Sequence, residues 1–325
     1  MQKEKTKIIT EAIQRFPYLP SRTIARYIMY NYGDLFENNL DNIRASVRYR
    51  LGSHGEANRK KLVDGIIRTS APVMPQTWRT TRTDYHLPPG LWLVINDAHI
   101  PFHEPIPLES ALMYGKDKRV NGILMNGDMQ DCASISYWPS ARKRDFDKEV
   151  ELFIDFLDLL DKEFPKAKKV YKPANHEYRL PRLYQAKVPE LMGLPLAAMD
   201  TILGLEYRGI EFLDYLQLVY AGELPILHGH EIRSITTAVN PARGLFLKTK
   251  SWSMCGHCHR TSEHTDINIQ GKMLTAWSVG CLCDLSPDYM AYGNNWNWGL
   301  ALVNVEKNGD FEVENKRILP NGKVV

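Results

Sequence analysis

The stretch Cys255-Gly256-His257-Cys258-His259-Arg260 places two cysteines and two histidines within five residues. Thiolate sulfur and imidazole nitrogen both bind borderline divalent ions, so either pair could hold a metal, structural or catalytic. Similar groups recur upstream: Asp97-x-His99, Gly127-Asp128-x-x-Asp131, Asn175-His176-Glu177, and His228 in Leu-His-Gly-His. Each piece alone is a weak signal. Together, carboxylate, imidazole and amide oxygen are the donor set of Mn²⁺, Fe²⁺ or Zn²⁺, and one shared aspartate can serve two ions in a hydrolytic site.

These groups need elements that bring them together. Each follows a short apolar run that reads as a buried strand: LWLVIND, GILMNGD, KVYKPANHE, LPILHGH and SWSMCGHCH. Helical stretches such as FDKEVELFIDFLDLLDKEF separate them. Alternating strands and helices predict an α/β body, and an open α/β sheet presents its ligand site where the strands end. The last part, from INIQGKMLTAWSVGCL onward, predicts strands and hairpins, with Asn308-Gly309-Asp310 as a turn.

Five pieces in this order resemble the calcineurin-like metallophosphoesterase superfamily, from roughly Leu91 to Trp298. The resemblance implies a four-layer αββα sandwich and a dinuclear, metal-dependent phosphoesterase. Carried over residue by residue, it implies that Asp97, His99 and His259 hold one ion, that Asn175, His228 and His257 hold the other, and that Asp128 bridges. In GHCH the histidines then bind and Cys258 is the spacer. The rival, a structural zinc at Cys255, Cys258, Cys281 and Cys283, needs Cys258 to leave that place. Mn²⁺ is the first expectation for the metal, with Fe²⁺, Zn²⁺ or Mg²⁺ as alternatives. His176 is expected as general acid, Asp131 as the group that orients it, and Glu177 as a support of the local backbone. Arg179 and Arg182 are candidate phosphate contacts. The pattern departs from the family's protein phosphatases, whose second motif continues Arg-Gly where Cys132 and Ala133 stand, and Ala174 replaces the usual Gly of the third. The whole run of motifs looks like phage- and prophage-type phosphoesterases described as DNA exonucleases. The expected function is therefore a nuclease-type phosphodiesterase acting on nucleic acid, DNA in the first instance. Alternatives are a small-molecule or cyclic-nucleotide phosphodiesterase, a phosphatase, or a nucleic-acid-binding protein with a structural metal.

Residues 1–70 differ from this body. They hold thirteen Lys/Arg against seven Asp/Glu, which leaves the remainder slightly acidic, and a basic segment suits an anionic partner. Ile8, Ile9, Ala12, Ile13 and Phe16 share one helix face. Ser21 is a candidate N-cap for a second helix, Gly33 breaks it, and Asn38 or Asn39 can cap a third, with Leu40, Ile43, Val47 and Leu51 inward. Arg44 and Arg48 lie a turn apart on what reads as an exposed face. The pattern predicts a small all-α, helix-turn-helix-like domain over 1–70, with Arg44 and Arg48 as nucleic-acid contacts. A Pro/Thr-rich linker over 71–90 and the metallophosphoesterase domain over 91–325 follow. No apolar run reaches the roughly 18–20 residues of a membrane span, so no membrane partner is expected. Five cysteines without disulfide spacing point to a reducing cytoplasm.

Overall fold

The computed structural model describes residues 2–52, 83–137, 145–233, 235–287 and 293–325. The chain separates into two compact units, 1–80 and 81–325.

In the first unit, α1 (Gln2–Arg15), α2 (Ser21–Tyr32) and α3 (Leu40–Leu51) enclose one small core. Ile9, Ala12, Ile24, Ile28, Phe36, Ile43 and Val47 meet there, and in α1 and α3 these are positions marked by the 3.6-residue period. Asn39 caps α3 by accepting the Asn42 amide at 3.0 Å. Ser21 is not a cap. It is the first residue of α2, and Pro20 precedes it with its carbonyl accepting from Thr23 and Ile24. A proline carbonyl can begin the helix ladder without any side-chain acceptor. Residues 53–70 of the expected helical domain lie outside the described residues.

In the second unit, one sheet runs β12-β11-β2-β3-β4-β5 and the other β1-β6-β7-β8-β10-β9. The first contains β2 (Gly90–Ile95), β3 (Gly122–Asn126), β4 (Lys168–Lys172) and β5 (Ile210–Phe212), all parallel, with β11 (Gly299–Val305) and β12 (Phe311–Arg317) antiparallel at one side. The second contains β1 (Tyr85–Leu87), β6 (Val219–Ala221), β7 (Leu224–Leu227), β8 (Ser253–Cys255), β9 (Ser262–Ile267) and β10 (Met273–Ser278). The expected linker over 71–90 is thus partly structured. Tyr85–Leu87 pairs in parallel with β6, because its alternating side chains bury Leu87. Residues 71–82 lie outside the described residues.

Strand alternation builds the layers. Trp92, Val94, Leu124 and Val170 point toward Val219, Leu224, Ile226 and Met254 of the other sheet. Leu93, Ile95, Ile123, Met125 and Tyr171 point the opposite way. They pack on α4 (Pro105–Asp117) and α5 (Phe146–Glu163) through Leu108, Leu112, Phe153, Leu157 and Leu160. Leu245 and Phe246 of α7 (Pro241–Thr249) cover Leu274 and Ala276 on the far side of the second sheet. Helix, sheet, sheet, helix is the four-layer αββα order expected from the motifs. Among the described residues, no helix is long and apolar enough to cross a membrane.

Candidate metal centre

The polar motifs sit just past the strand ends. Asp97 and His99 follow β2, Asp128 follows β3, Asn175 follows β4, His228 follows β7, and His257 and His259 follow β8. Asp97, His99, Asp128, His228 and His259 are all buried, and His257 is half-buried. Five of these residues take left-handed backbone: Asp97 (φ 53°), His99 (50°), Asp128 (49°), His257 (60°) and His259 (54°). Non-glycine residues rarely hold that conformation, and each costs roughly 1–3 kcal/mol, so the surrounding structure must impose it. It bends the loops after β2 and β8 tightly, so that both members of Asp-x-His and of His-x-His turn inward. Cys258 packs among Ile235, Leu245 and Cys255 instead. Gly229 (φ 128°) allows the approach of the two loops, since a Cβ there would meet His257 Cβ at 2.9 Å.

Each aspartate is anchored by one oxygen. Asp97 Oδ2 accepts the His257 amide at 2.8 Å, while Oδ1 faces His259 Nε2 (3.1 Å), His228 Nε2 (3.7 Å) and His99 Nε2 (3.8 Å). Asp128 Oδ1 accepts the His176 amide at 3.0 Å, while Oδ2 faces His228 Nε2 (3.1 Å), His176 Nε2 (3.8 Å) and His257 Nδ1 (4.0 Å). His228 Nδ1–H donates to the Asn126 carbonyl at 2.7 Å, which turns Nε2 toward Asp128 and Asp97. His99 and His259 bring their Nε2 atoms to 3.3 Å of each other.

Two atoms test whether a cation fits. Asn175 Oδ1 and His228 Nε2 are buried without a hydrogen-bond partner. Buried polar atoms are rarely left so; the amide oxygen is an acceptor, and the imidazole nitrogen becomes one when a cation displaces its proton. Carboxylate, imidazole and amide donors around shared space match divalent ions. The residues fit. Three groupings could each hold an ion: Asp97–Asp128–His228–His257, His99–His259–Cys283 and His99–Asp128–His176. Among the described residues no four-cysteine cluster forms, and all five cysteines are buried and free.

Without a cation, protons do the neutralising. Burial pulls the His228 pKa down, but Asp128 and Asp97 outweigh it and hold the ring at about 10. Burial opposes protonation of His259 too, and Asp97 lifts it to about 9. Burial would raise the pKa of Asp97 and of Asp128. The adjacent imidazoles, His259 and His228 for the first, His228 and His176 for the second, hold both well below the usual carboxylate range.

The remaining candidates are distributed unevenly. Asp131 Oδ1 lies 3.0 Å from His176 Nδ1 and 2.8 Å from His99 Nδ1, so one carboxylate serves two rings. Arg179, on α6 (Arg179–Lys187), donates to the Asp131 carbonyl at 2.9 Å and places Nη2 3.2 Å from His176 Nε2. Arg182 is exposed, over the Tyr178 ring at 5.9 Å. Glu177 accepts from the amides of Asp128, Met129, Gln130 and Ala174 and from the Tyr171 hydroxyl, and so fixes the second and third motif loops together. In the N-terminal unit Arg48 is exposed. Arg44 departs from the exposed face expected of it: it is half-buried, with Nε shielded from solvent, because α3 turns that side partly into the unit.

Sequence reasoning missed one pair. Lys172, fully buried at the end of β4, contacts Glu231 at 2.7 Å, and Glu231 accepts the amides of His228 and Gly229. A lysine closing a buried strand and a glutamate following His-Gly-His were the available signals. Trp296, in the aromatic stretch near the C-terminus, packs on His259 at 4.1 Å between ring centroids.

No protein-family model matches the chain. It is 24% identical over 228 residues to "Gene 54 protein" of Mycobacterium phage L5, covering 66% of this chain and 88% of that protein. Among solved structures, Vps29 of Chaetomium thermophilum is 15% identical with a TM-score of 0.36, covering 72% of this chain and 94% of that one. A dimetal phosphatase from Danio rerio is 12% identical with a TM-score of 0.33, covering 70% and 95%. The chain's own layer order and strand-end cluster are those expected from its motifs.

Proposed function

We propose that the chain is a metal-dependent phosphodiesterase that hydrolyses phosphodiester bonds of nucleic acid, DNA first, at a dinuclear centre. One observation carries this reading: at the ends of five strands, buried carboxylate oxygens and imidazole nitrogens converge, some with lone pairs unspent. Asp97, His99 and His259 would hold one ion, Asn175, His228 and His257 the other, with Asp128 shared and Mn²⁺ the first choice. When bound, such ions supply the positive charge that polarises a phosphate ester toward attack by water.

The chain's own groups have separate tasks. Backbone amides anchor one oxygen of Asp97 and of Asp128, which orients the other. His176 is the candidate acid for the departing alkoxide oxygen, a poor leaving group unless protonated. Its Nδ1–H donates to the Asp131 carbonyl at 3.0 Å, which directs Nε2 away from that loop. Arg179 lies beside Nε2, and a phosphate oxygen that draws the guanidinium to itself frees Nε2 to carry and deliver a proton. Arg182 and, in the N-terminal unit, Arg48 are the candidates for further phosphates of a polymer. The absence of the Arg-Gly pair at Cys132 and Ala133 disfavours a protein phosphatase.

The test is a panel assay with Mn²⁺ using bis-p-nitrophenyl phosphate, p-nitrophenyl phosphate, and labelled single- and double-stranded DNA. Turnover of the diester above the monoester, with cutting of DNA, is expected. Turnover of the monoester alone would make the chain a phosphatase. No turnover with any divalent ion would overturn the enzymatic reading.

A further inference from the structure

Beside the metal-ligand cluster lies a cavity of about 570 Å³, within the usual size of a small-ligand site. It is lined in part by Glu177 and Tyr178, which directly follow Asn175 and His176. Its wall is mostly apolar, and four rings are part of it: Tyr178, Tyr184, Phe212 and Tyr215. Among its aliphatic residues, Met192 and Leu194 are exposed to 46% and 45% although water is a poor environment for both. Tyr178 stacks on Tyr215 with centroids 4.2 Å apart and planes 23° apart. Tyr215 in turn meets His230 at 5.1 Å, and His230 meets His228 at 5.5 Å and His257 at 6.2 Å. A continuous series of rings thus runs from the cavity wall to the candidate metal ligands.

Charge selects the occupant. The charged residues lining the cavity are Glu177, Asp200 and Asp214, with no Lys or Arg among the described lining. Glu177 is committed to its backbone amides and to Tyr171. Asp200 and Asp214 each accept one nearby amide, from Thr201 and from Leu216, and a carboxylate retains further acceptor capacity. A phosphate would be repelled. A flat ring that carries N–H donors would be received by both the aromatic wall and the carboxylates. Of the nearby cations, Arg179 is engaged at His176 and Arg182 lies over the Tyr178 ring at 5.9 Å.

We infer that this cavity is a nucleobase subsite, taking one base next to the scissile phosphate. The substrate it implies rests on the phosphodiesterase reading, but base binding itself can be measured without turnover. The full chain with Mn²⁺ is titrated calorimetrically with adenosine 5′-monophosphate and with ribose 5-phosphate, which share a phosphate and differ by the base. The nucleotide binds about ten-fold tighter, the order expected from stacking one base on aromatic rings. Tyr178→Leu closes that gap. Met192→Glu closes it as well, at a half-exposed position where a carboxylate does not threaten folding. Leu247→Glu, on the exposed side of α7, keeps the gap. Equal binding of the two ligands overturns the inference, as does a gap that survives both cavity variants. If Met192→Glu changes self-association or protein binding and leaves the gap intact, the exposed apolar residues form a protein-docking surface and the subsite is excluded. Hydrolysis of methyl p-nitrophenyl phosphate, which has no base, reads the catalytic proposal separately. Its absence beside base-dependent binding sinks that proposal alone, and its presence without base-dependent binding sinks the subsite alone.

Discussion

Asp97 and Asp128 divide their oxygens between two tasks, one held by a backbone amide and one turned toward imidazoles. That division makes the centre sensitive to protons. With no metal bound, His228 and His259 have pKa values of about 10 and about 9 against an ordinary 6.5. A raised folded-state pKa contributes stability that is complete below pH 6.5 and is lost as pH climbs toward 9–10. Thermal unfolding in excess chelator should therefore show a falling midpoint across that window. Saturating Mn²⁺ should flatten the fall, since the cation takes the place of the protons. His176 allows a second residue-scale prediction. His176→Ala should retain the metals and lose roughly 10²–10⁴ in kcat on a substrate with an alkoxide leaving group, and less with p-nitrophenolate. Elemental analysis beside the rates checks this, and a collapse of metal content would make His176 a ligand, as the His99–Asp128–His176 grouping permits.

At the scale of elements, the site is a set of loops held at fixed separation by buried polar braces. Glu177 joins the loops after β3 and β4, and the Lys172–Glu231 pair joins β4 to the loop after β7. Removing one member of a buried pair strands the other charge, which costs about 3–5 kcal/mol. Lys172→Met should lower the urea midpoint accordingly, and Lys172→Met with Glu231→Gln should recover part of that loss. Loop packing also explains Gly127, whose φ is +84° and where a Cβ would meet Ala174 Cβ at 2.5 Å and His228 Nδ1 at 2.6 Å. Gly127→Ala should therefore abolish activity and lower metal content together, because relief of the clash displaces Asp128 or His228.

At the scale of the molecule, every candidate ligand belongs to the unit over 81–325, and the basic helical unit contributes none. Its proposed work is recruitment of a polyanion, where affinity comes from phosphate contacts and falls steeply with salt. Deleting residues 1–80 should leave turnover of bis-p-nitrophenyl phosphate nearly unchanged. The same deletion should raise KM for DNA by about ten-fold at moderate salt, with a shallower salt dependence, as loss of one or two phosphate contacts would give. Arg48→Glu should reproduce part of the effect. Arg44→Glu is a poorer probe, because Arg44 is half-buried and its reversal tests folding as well as binding. Identical KM values for the intact and shortened chains would make the unit a structural or protein-binding appendage.

The sequence by itself determined the α/β alternation, the three N-terminal helices and the identity of the strand-end residues that meet. These are local properties: a period of two or 3.6 in apolar residues decides which face is buried, and a polar residue after an apolar run marks a strand end. Only the tertiary structure decided how those residues meet. Left-handed backbone at Asp97, His99, Asp128, His257 and His259 is only weakly marked in residue type, since Asp and His tolerate it better than most, and surrounding contacts must impose it. Asp131 was expected beside His176 but not beside His99, and the same lesson holds for that second contact, the Lys172–Glu231 brace, the partial burial of Arg44, and the ring series from Tyr178 to His257. Each joins side chains that the sequence pattern left independent, and most span loops far apart in the chain. Whether two side chains touch depends on how layers stack and loops bend, and that is set by packing summed over the whole molecule.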